Sequence, residues 1–311
     1  MEKEWMDQSK RILLTGATGF LGSALAHDFF QKGFSVFVVK RSTSSLARLK
    51  DIEGRLTFYD IDQESAADII KAAMPLDVIV HTATCYGRKG ETDNELLQTN
   101  VEYPLELLDA AIQMKVPLFV NTSTCLDKMV SAYALSKQQF SEWGKKHAED
   151  GNIAFCDLRL EHMYGPGDNE SKFVTYVLHA CARNIPNLAL TEGRQKRDFI
   201  YIDDVVSAYQ AVMKHSWQGY HSIAIGSGQN ISIRSFVEMV HRMTGSSTQL
   251  DFGAIPLRRN EFMQSSPDLT EIHSLGWQSK ISLQQGLKMI LEKEFPQIFN
   301  NDFHIGIRIE F

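Results

Sequence analysis

Apolar positions along the first half of the chain fall into short unbroken runs, and the runs are separated by longer stretches with apolar residues at helical spacing. Arg11-Ile12-Leu13-Leu14-Thr15, Phe34 to Val39, Leu56 to Tyr59, Val78 to His81 and Leu118 to Asn121 have the length and β-branched character of buried strands. Between and after them, Ser23 to Lys32, Ser65 to Ala73, Glu95 to Met114 and Tyr133 to Ala148 read as helices, and Gly33 reads as a C-cap. Strands alternating with helices predict an α/β fold built on a parallel, doubly wound sheet. Ligands of such sheets gather at the carboxyl ends of the strands, so Gly16, Lys40, Asp60, Ala83 and Thr124 are expected on one rim although far apart in sequence.

The first strand runs directly into Gly16-Ala17-Thr18-Gly19-Phe20-Leu21-Gly22, and a helix follows. A strand, a glycine turn and a helix let backbone approach a pyrophosphate at a helix N-terminus, which predicts a dinucleotide site at Gly16, Thr18, Gly19, Phe20, Leu21 and Gly22. The alternative is a merely tight turn. The second strand ends Val38-Val39-Lys40-Arg41-Ser42, with no carboxylate to take a ribose 2′-hydroxyl and two cations suited to a 2′-phosphate. This favours NADP(H); the bland alternative is that Lys40 and Arg41 are solvated surface charges. Asp60, after the third strand, is expected at the adenine edge.

The fifth strand continues into Asn121-Thr122-Ser123-Thr124-Cys125, and Tyr133-Ala134-Leu135-Ser136-Lys137 opens the next helix. Tyrosine and lysine four positions apart share a helix face. A phenol has a reference pKa of about 10, and a nearby ammonium and the positively charged nicotinamide stabilise phenolate and pull that value toward working pH. Tyr133 is therefore the candidate for proton exchange with a carbinol or carbonyl oxygen. Thr124 would hydrogen-bond the same oxygen, and Lys137 would also hold the nicotinamide ribose.

Composition narrows the class. The chain has 311 residues, 43% apolar and 23% charged, enough to bury a large core in one two-lobed unit or two intimate domains. A net charge of −6 argues against a nucleic-acid binder. The first ten residues are polar and no apolar run approaches the roughly eighteen that a membrane span needs, so a cytoplasmic protein without a membrane segment is expected. Cys85, Cys125, Cys156 and Cys181 show no paired spacing, the ten histidines show no metal spacing, and no metal site is expected.

At this point the chain resembles the extended short-chain dehydrogenase/reductase family, in its nucleotide-sugar-modifying branch. Besides the motifs above, the resemblance rests on Asp60-Ile61-Asp62, His81-Thr82-Ala83, Asn100, Leu158-Arg159 running to Tyr164-Gly165-Pro166-Gly167-Asp168, Arg197 to Val205, and Leu275-Gly276-Trp277. It implies a Rossmann-type domain over residues 1–160 to which 199–225 return, and a smaller C-terminal substrate-binding lobe from 161–198 and 226–311. It further implies that Ile61, Thr82 and Ala83 contact the cofactor and that Cys85 lies on the substrate side. Arg197 and Arg258 or Arg259 would grip a sugar-nucleotide diphosphate, a task suited to guanidinium forks; a salt bridge from Arg197 to Asp198 or Asp203 is the alternative. His162 replaces an asparagine of relatives, and would keep a hydrogen bond, donate a proton or simply pack. Helices 95–114 and 133–148 would pair two subunits into a homodimer.

Departures from the family pattern narrow the reaction. Sugar-nucleotide dehydratases carry an Asp-Glu pair where this chain has Cys125 and Leu126, which makes dehydration unexpected. Epimerase-reductases of the GDP-fucose type add a cysteine and a histidine, and no histidine occurs between Asn169 and Val174. A UDP-galactose-type 4-epimerase retains NAD, against which Lys40 argues. The segment from Thr124 to Phe140 resembles the CDP-abequose and CDP-paratose synthase group, which implies an NADPH-dependent 4-ketoreductase of a nucleotide-linked deoxy or dideoxy hexose. A nucleotide-sugar epimerase is the alternative within enzymes, and a dinucleotide-sensing binding protein without catalysis is the rival from another class. Cys125 is expected to be a small wall residue, since nothing nearby in sequence would make its thiolate.

Overall fold

The computed structural model describes residues 10–258 and 261–300. The chain divides into two compact units: the first runs to Glu161 and takes in Val206–Ile225 and Asp268–Trp277, and the second comprises His162–Val205, Gly226–Pro267 and the chain from Gln278. The return to the first unit thus begins at Val206 rather than near 199, because Lys196–Tyr201 is a strand of the second unit's own sheet, and a further short piece returns at Asp268–Trp277.

The first unit is built on β1 (Arg11–Thr15), β2 (Ser35–Lys40), β3 (Thr57–Asp60), β4 (Val78–His81), β5 (Leu118–Thr124), β6 (Ala154–Leu160) and β10 (Tyr220–Ile225). They form one seven-stranded sheet in the order β10-β6-β5-β4-β1-β2-β3, with every neighbouring pair parallel. The order steps outward from β1 in one direction through β3 and then, after β3, in the other from β4 onward, and because every pair is parallel the strands' carboxyl ends share one rim. Helices α1 (Phe20–Gln31), α2 (Ala66–Ala73), α3 (Asp93–Leu97), α4 (Tyr103–Gln113) and α5 (Ala132–Glu149) lie between these strands in the chain.

The predicted helix from Glu95 to Met114 is two helices joined by a π turn at Gln98–Glu102. Pro104 has no N–H to donate to the carbonyl four residues back. The turn before it widens, and the Tyr103 N–H bonds Gln98 O instead.

Aromatic rings fix α5 on the sheet. Phe119 and Phe155 stack at 5.4 Å on neighbouring strands, and Phe140 of α5 stands edge-on to both at 5.9 Å. Gly144 lets the helix approach this closely, since a Cβ there would lie 2.2 Å from the Phe155 ring.

In the second unit, β7 (His162–Tyr164), β9 (Lys196–Tyr201) and β11 (Asn230–Ser232) form a three-stranded sheet, and β8 (Asn187–Leu190) pairs in parallel with β12 (Gln249–Phe252). The buried Asp198 carboxylate accepts from Ser227 N, Ser227 Oγ and Gly228 N at 2.7–2.8 Å, which fixes the loop before β11. Among the described residues no helix is long and apolar enough to cross a membrane.

The seat of α5 gives a stability prediction. Gly144→Ala should raise helix propensity yet destabilise the protein by about 1–3 kcal/mol, because Phe155 lies in a stacked cluster and cannot give way. Urea denaturation followed by circular dichroism checks this, and an unchanged midpoint would contradict the packing described.

Candidate active site

The rim at the carboxyl ends of the strands begins with the glycine turn. Gly16 has φ +72°, and a Cβ there would meet Ala83 N at 2.6 Å and Thr82 C at 2.7 Å, so only glycine lets β1 turn against the end of β4. Side chains lock the same place: Thr82 Oγ1 donates to Thr15 O at 2.7 Å, while Thr15 Oγ1 accepts from Thr82 N and Ala83 N at 3.2 and 3.3 Å. A Cβ on Gly22 would lie 2.2 Å from Gly16 O, which is how α1 presses on the turn. Its N-cap, Gly19, offers no side chain to cap the helix, so the first-turn N–H groups face the rim without a side-chain acceptor. Leu21 is buried in the core, so its side chain serves packing.

At the ends of β2 and β3 the register sets Lys40 opposite Asp60, and Lys40 Nζ sits 2.5 Å from Asp60 Oδ1. Lys40 is therefore neither a solvated charge nor an unclaimed cation: its charge is compensated across the sheet. Arg41 is exposed and takes part in no ion pair among the described residues. The neighbouring Asp62 accepts from Ser42 N and Ser42 Oγ, which holds its carboxyl down at about 2. Arg48, which sequence reasoning passed over, places its guanidinium 5.9 Å over the Phe20 ring at the start of α1.

The end of β5 and the start of α5 carry the hydroxyl, phenol and ammonium. Thr124 Oγ1 accepts from Leu126 N at 3.2 Å, so its O–H remains available to an incoming acceptor. Ser131 caps α5 through Ala134 N, which puts Tyr133 in the first turn and Lys137 one turn further along. The π turn aims Asn100 into the same region: its amide nitrogen donates to Ser136 Oγ at 2.9 Å and to Cys85 O at 2.8 Å, and its Oδ1 accepts from Cys85 N at 2.8 Å. Cys85 is thereby held by its backbone, and burial pushes its thiol up, away from a reactive thiolate. Cys125 donates its thiol to Arg159 O at 3.1 Å. Past Cys85, Tyr86 lays its ring 4.9 Å from the Tyr133 ring, and Arg88 lies 5.3 Å over Tyr86. Neither was picked out from sequence, and their loop carries no motif that marks them.

Electrostatics at the phenol differ from the expectation. Burial, reinforced by Tyr86, pushes Tyr133 up, and Arg88 pulls in the opposite direction. In the protein alone desolvation dominates at the phenol, and the opposing pull comes from Arg88 rather than from Lys137. Lys137 itself is buried, and burial lowers it to about 8 against the pull of Asp157. Its Nζ has no hydrogen-bond partner among the described residues. An ammonium left in this way is costly unless a ligand supplies the acceptor, and a ribose hydroxyl is such an acceptor. Together with the glycine cradle and the open helix N-terminus, it makes these residues fit a dinucleotide.

In the second unit, β7 and β9 bring His162 beside Phe199, with the rings edge-on at 5.9 Å; packing is therefore one role His162 has. The buried Arg197 makes its ion pair with Glu261, neither of the acids expected from sequence, and also donates to Lys196 O. Arg258 is exposed, and Arg259 lies outside the described residues.

Comparison with known proteins agrees with this geometry. The model of the NAD dependent epimerase/dehydratase family matches residues 12–226. The chain is 33% identical to CDP-abequose synthase of Salmonella muenchen over 294 residues, which cover 92% of this chain and 98% of that protein. It is 31% identical to the CDP-abequose synthase of Salmonella typhimurium, over 91% of this chain and 97% of that one. Among solved structures, UDP-glucuronic acid 4-epimerase from Bacillus cereus, in complex with UDP-glucuronic acid and NAD, superposes with a TM-score of 0.76 at 22% identity, covering 93% of this chain and 99% of the other. A DesIV double mutant (dTDP-glucose 4,6-dehydratase) from Streptomyces venezuelae, with NAD and DAU bound, gives 0.79 at 21% identity, covering 93% and 98%. These two establish the fold. With a parallel sheet, a glycine turn at its first strand and a Tyr133-Lys137 pair at the same rim, the chain is an extended short-chain dehydrogenase/reductase and belongs to the NAD dependent epimerase/dehydratase family.

Proposed function

We propose that this enzyme reduces the 4-keto group of a nucleotide-linked deoxy or dideoxy hexose with NADPH, on a CDP-4-keto-3,6-dideoxyglucose-like substrate, in the cytoplasm. The observation that carries the reading is Lys137, a buried ammonium with no hydrogen-bond partner among the described residues, one helical turn from a half-buried phenol. The substrate class draws support from the 33% identity to a CDP-abequose synthase over nearly the whole chain.

Bound along the glycine turn, the dinucleotide supplies hydride to the 4-keto carbon. Tyr133 gives its phenolic proton to the oxygen as that oxygen becomes an alkoxide. Burial suits this direction of chemistry: a phenol pushed up stays protonated at neutral pH, as a proton donor must. Thr124 donates its O–H to the same oxygen and stabilises the developing charge. Lys137 holds the ribose and brings positive charge toward the phenolate that remains. On the substrate side, Cys85 lines the wall, and His162, Arg197, Arg258 and Arg259 take the sugar-diphosphate; for Arg197 this requires exchanging Glu261 for phosphate, a substitution of one anion for another at the same guanidinium.

For the cofactor, Gly16, Thr18, Gly19, Phe20, Leu21 and Gly22 carry the pyrophosphate, Asp60 and Ile61 flank the adenine, Thr82 and Ala83 back the ribose, and Lys40 with Arg41 selects the 2′-phosphate. Given the Lys40–Asp60 pair, Arg41 bears most of that selection. Replacing it by glutamine should weaken NADPH by about 1–3 kcal/mol and leave NADH within a few-fold, as expected for lost charge-assisted bonds. Lys40→Gln should shift preference toward NADH, because it releases the Asp60 carboxylate for a 2′-hydroxyl. Fluorescence titration with both cofactors reads these effects, and a wild-type preference for NADH would reject the assignment.

The chemical step is tested by incubating the enzyme with a CDP-4-keto-3,6-dideoxyhexose and NADPH. Stoichiometric loss of NADPH absorbance with one new alcohol supports reduction, whereas isomerisation without net loss identifies an epimerase. Tyr133→Phe should lower turnover by roughly 10² or more with cofactor affinity within a few-fold, while Lys137→Met should damage both.

We also infer a homodimer through the faces of α3 to α5. Leu135 and Trp143 expose 40% and 47% of their surface on α5, and Leu97 ends α3 at 37%. Light scattering at micromolar concentration should give twice the chain mass, and a monomer would remove this proposal.

A further inference from the structure

We propose that Asp157 is the counter-ion of Lys137, a positioning residue set on the floor of the site so that the ammonium keeps its charge while its N–H groups stay free for cofactor and phenol. Asp157 lies in the middle of β6, in a run otherwise apolar on both sides up to Arg159, and it is fully enclosed. A carboxylate buried without reason is expensive. This one is held deliberately: Asn121 of β5 donates its side-chain amide to Oδ1 at 2.7 Å, and Ser141 of α5 donates its hydroxyl to the same oxygen at 2.9 Å. Ser141 Oγ also lies 3.1 Å from Lys137 O, so the carboxylate is anchored one helical turn from the lysine it serves. Ser123 Oγ, 3.2 Å from Ser141 Oγ, completes the chain of hydroxyls.

Burial pushes the Asp157 carboxyl up, the Asn121 and Ser141 donors and the Lys137 charge oppose that, and the two groups act on each other through charge without a hydrogen bond to Lys137 Nζ. The separation is the point of the arrangement. A carboxylate bonded directly to Nζ would occupy the donors that the ribose and phenol need, whereas one set back on β6 stabilises the charge from a distance and leaves Nζ without a hydrogen-bond partner among the described residues.

Other groups facing the pair do not substitute for Asp157. His81 of β4 is fully buried and driven strongly toward its neutral form, first by burial and then by the Lys137 charge. Tyr133 on α5, Tyr209 on the helix Ile202–Met213, Tyr220 on β10 and Cys156 on β6 are all pushed up by burial and stay neutral. Arg159 is a second cation that draws on the same carboxylate. Removing the Asp157 charge therefore leaves Lys137 with burial alone, which favours its neutral form.

The inference rests on Lys137 having the role proposed above, but its test does not require turnover. In full-length protein labelled with ¹³C,¹⁵N-lysine, the Lys137 side-chain resonance is assigned by its loss in Lys137→Met and titrated with pH. Lys137 should titrate near pH 8 in the wild type, in line with its burial. In Asp157→Asn, which keeps shape and hydrogen-bonding capacity, the midpoint should fall by at least one pH unit, a tenfold change in proton affinity. Ser141→Ala removes one of the two donors that keep the carboxylate ionised; it should move the midpoint in the same direction by less, and it carries the test if Asp157→Asn does not fold. A midpoint unchanged or raised in Asp157→Asn would overturn the proposal. Failure to reduce a 4-keto sugar nucleotide would instead count against the substrate reading and leave this result standing.

Discussion

The site depends on one close approach, that of Gly16 to the Thr82-Ala83 peptide. Any side chain at Gly16 would lie within 2.7 Å of the backbone just past the end of β4, in a backbone conformation that L side chains avoid. Because that contact is backbone against backbone, it cannot relax by turning a rotamer. The same glycine's carbonyl bounds the space into which α1 packs, through Gly22. The approach thus fixes three things together: the spacing of β1 from the end of β4, the pitch of α1, and the direction in which its first N–H groups point. Thr15 then reads the geometry out with its side chain, which reaches both Thr82 N and Ala83 N as well as the His81 ring at 2.8 Å.

Burial sets the sign of four titrations around the phenol and the lysine. The phenol of Tyr133 and the thiol of Cys85 are pushed up, while the imidazole of His81 and the ammonium of Lys137 are pushed down. All four shifts favour the uncharged form, which is the general effect of a low-dielectric surrounding. Specific neighbours act against burial: Arg88, over the phenol's aromatic partner, lowers Tyr133, and Asp157 raises Lys137. Chemistry at Tyr133 thereby becomes dependent on what binds, since a cationic ring or a polar ribose alters the balance more in a dry site than it would in water.

Elements whose cause is local were legible in the sequence. The run from Arg11 to Thr15, the glycine turn and the turn-spaced Tyr133 and Lys137 each follow from periodicity or spacing within a few residues, and the strand bounds at Arg11–Thr15 and Val78–His81 agree with the reading. The family pattern reached further, through blocks scattered along the whole chain. What stayed hidden depends on register between distant segments. Nothing in Lys40 announces that parallel pairing sets Asp60 opposite it, nor in Arg197 that Glu261 closes on its guanidinium. Periodicity across Glu95 to Met114 hides the π turn, because apolar spacing persists through it while only Pro104 records the missing donor. An aspartate inside an apolar strand, such as Asp157, is visible as an anomaly, but its purpose appears only when Asn121, Ser141 and Lys137 converge on it.

The end of β2 shows why charge composition is a weaker guide than charge placement. Lys40, Arg41, Asp60 and Asp62 sum to zero, yet they are not equivalent toward an incoming phosphate. Lys40 is spent on Asp60, so the pair presents a dipole rather than a cation. Asp62 is turned onto Ser42, whose backbone and hydroxyl both donate to it. Arg41 remains exposed with its fork unclaimed by any carboxylate among the described residues. An exposed negative charge a few ångströms away acts through water and salt and is largely screened, whereas a guanidinium in contact acts through directed hydrogen bonds that screening hardly weakens. A rim with no net charge can therefore still discriminate in favour of a 2′-phosphate, provided that its carboxylates are occupied and its guanidinium is not.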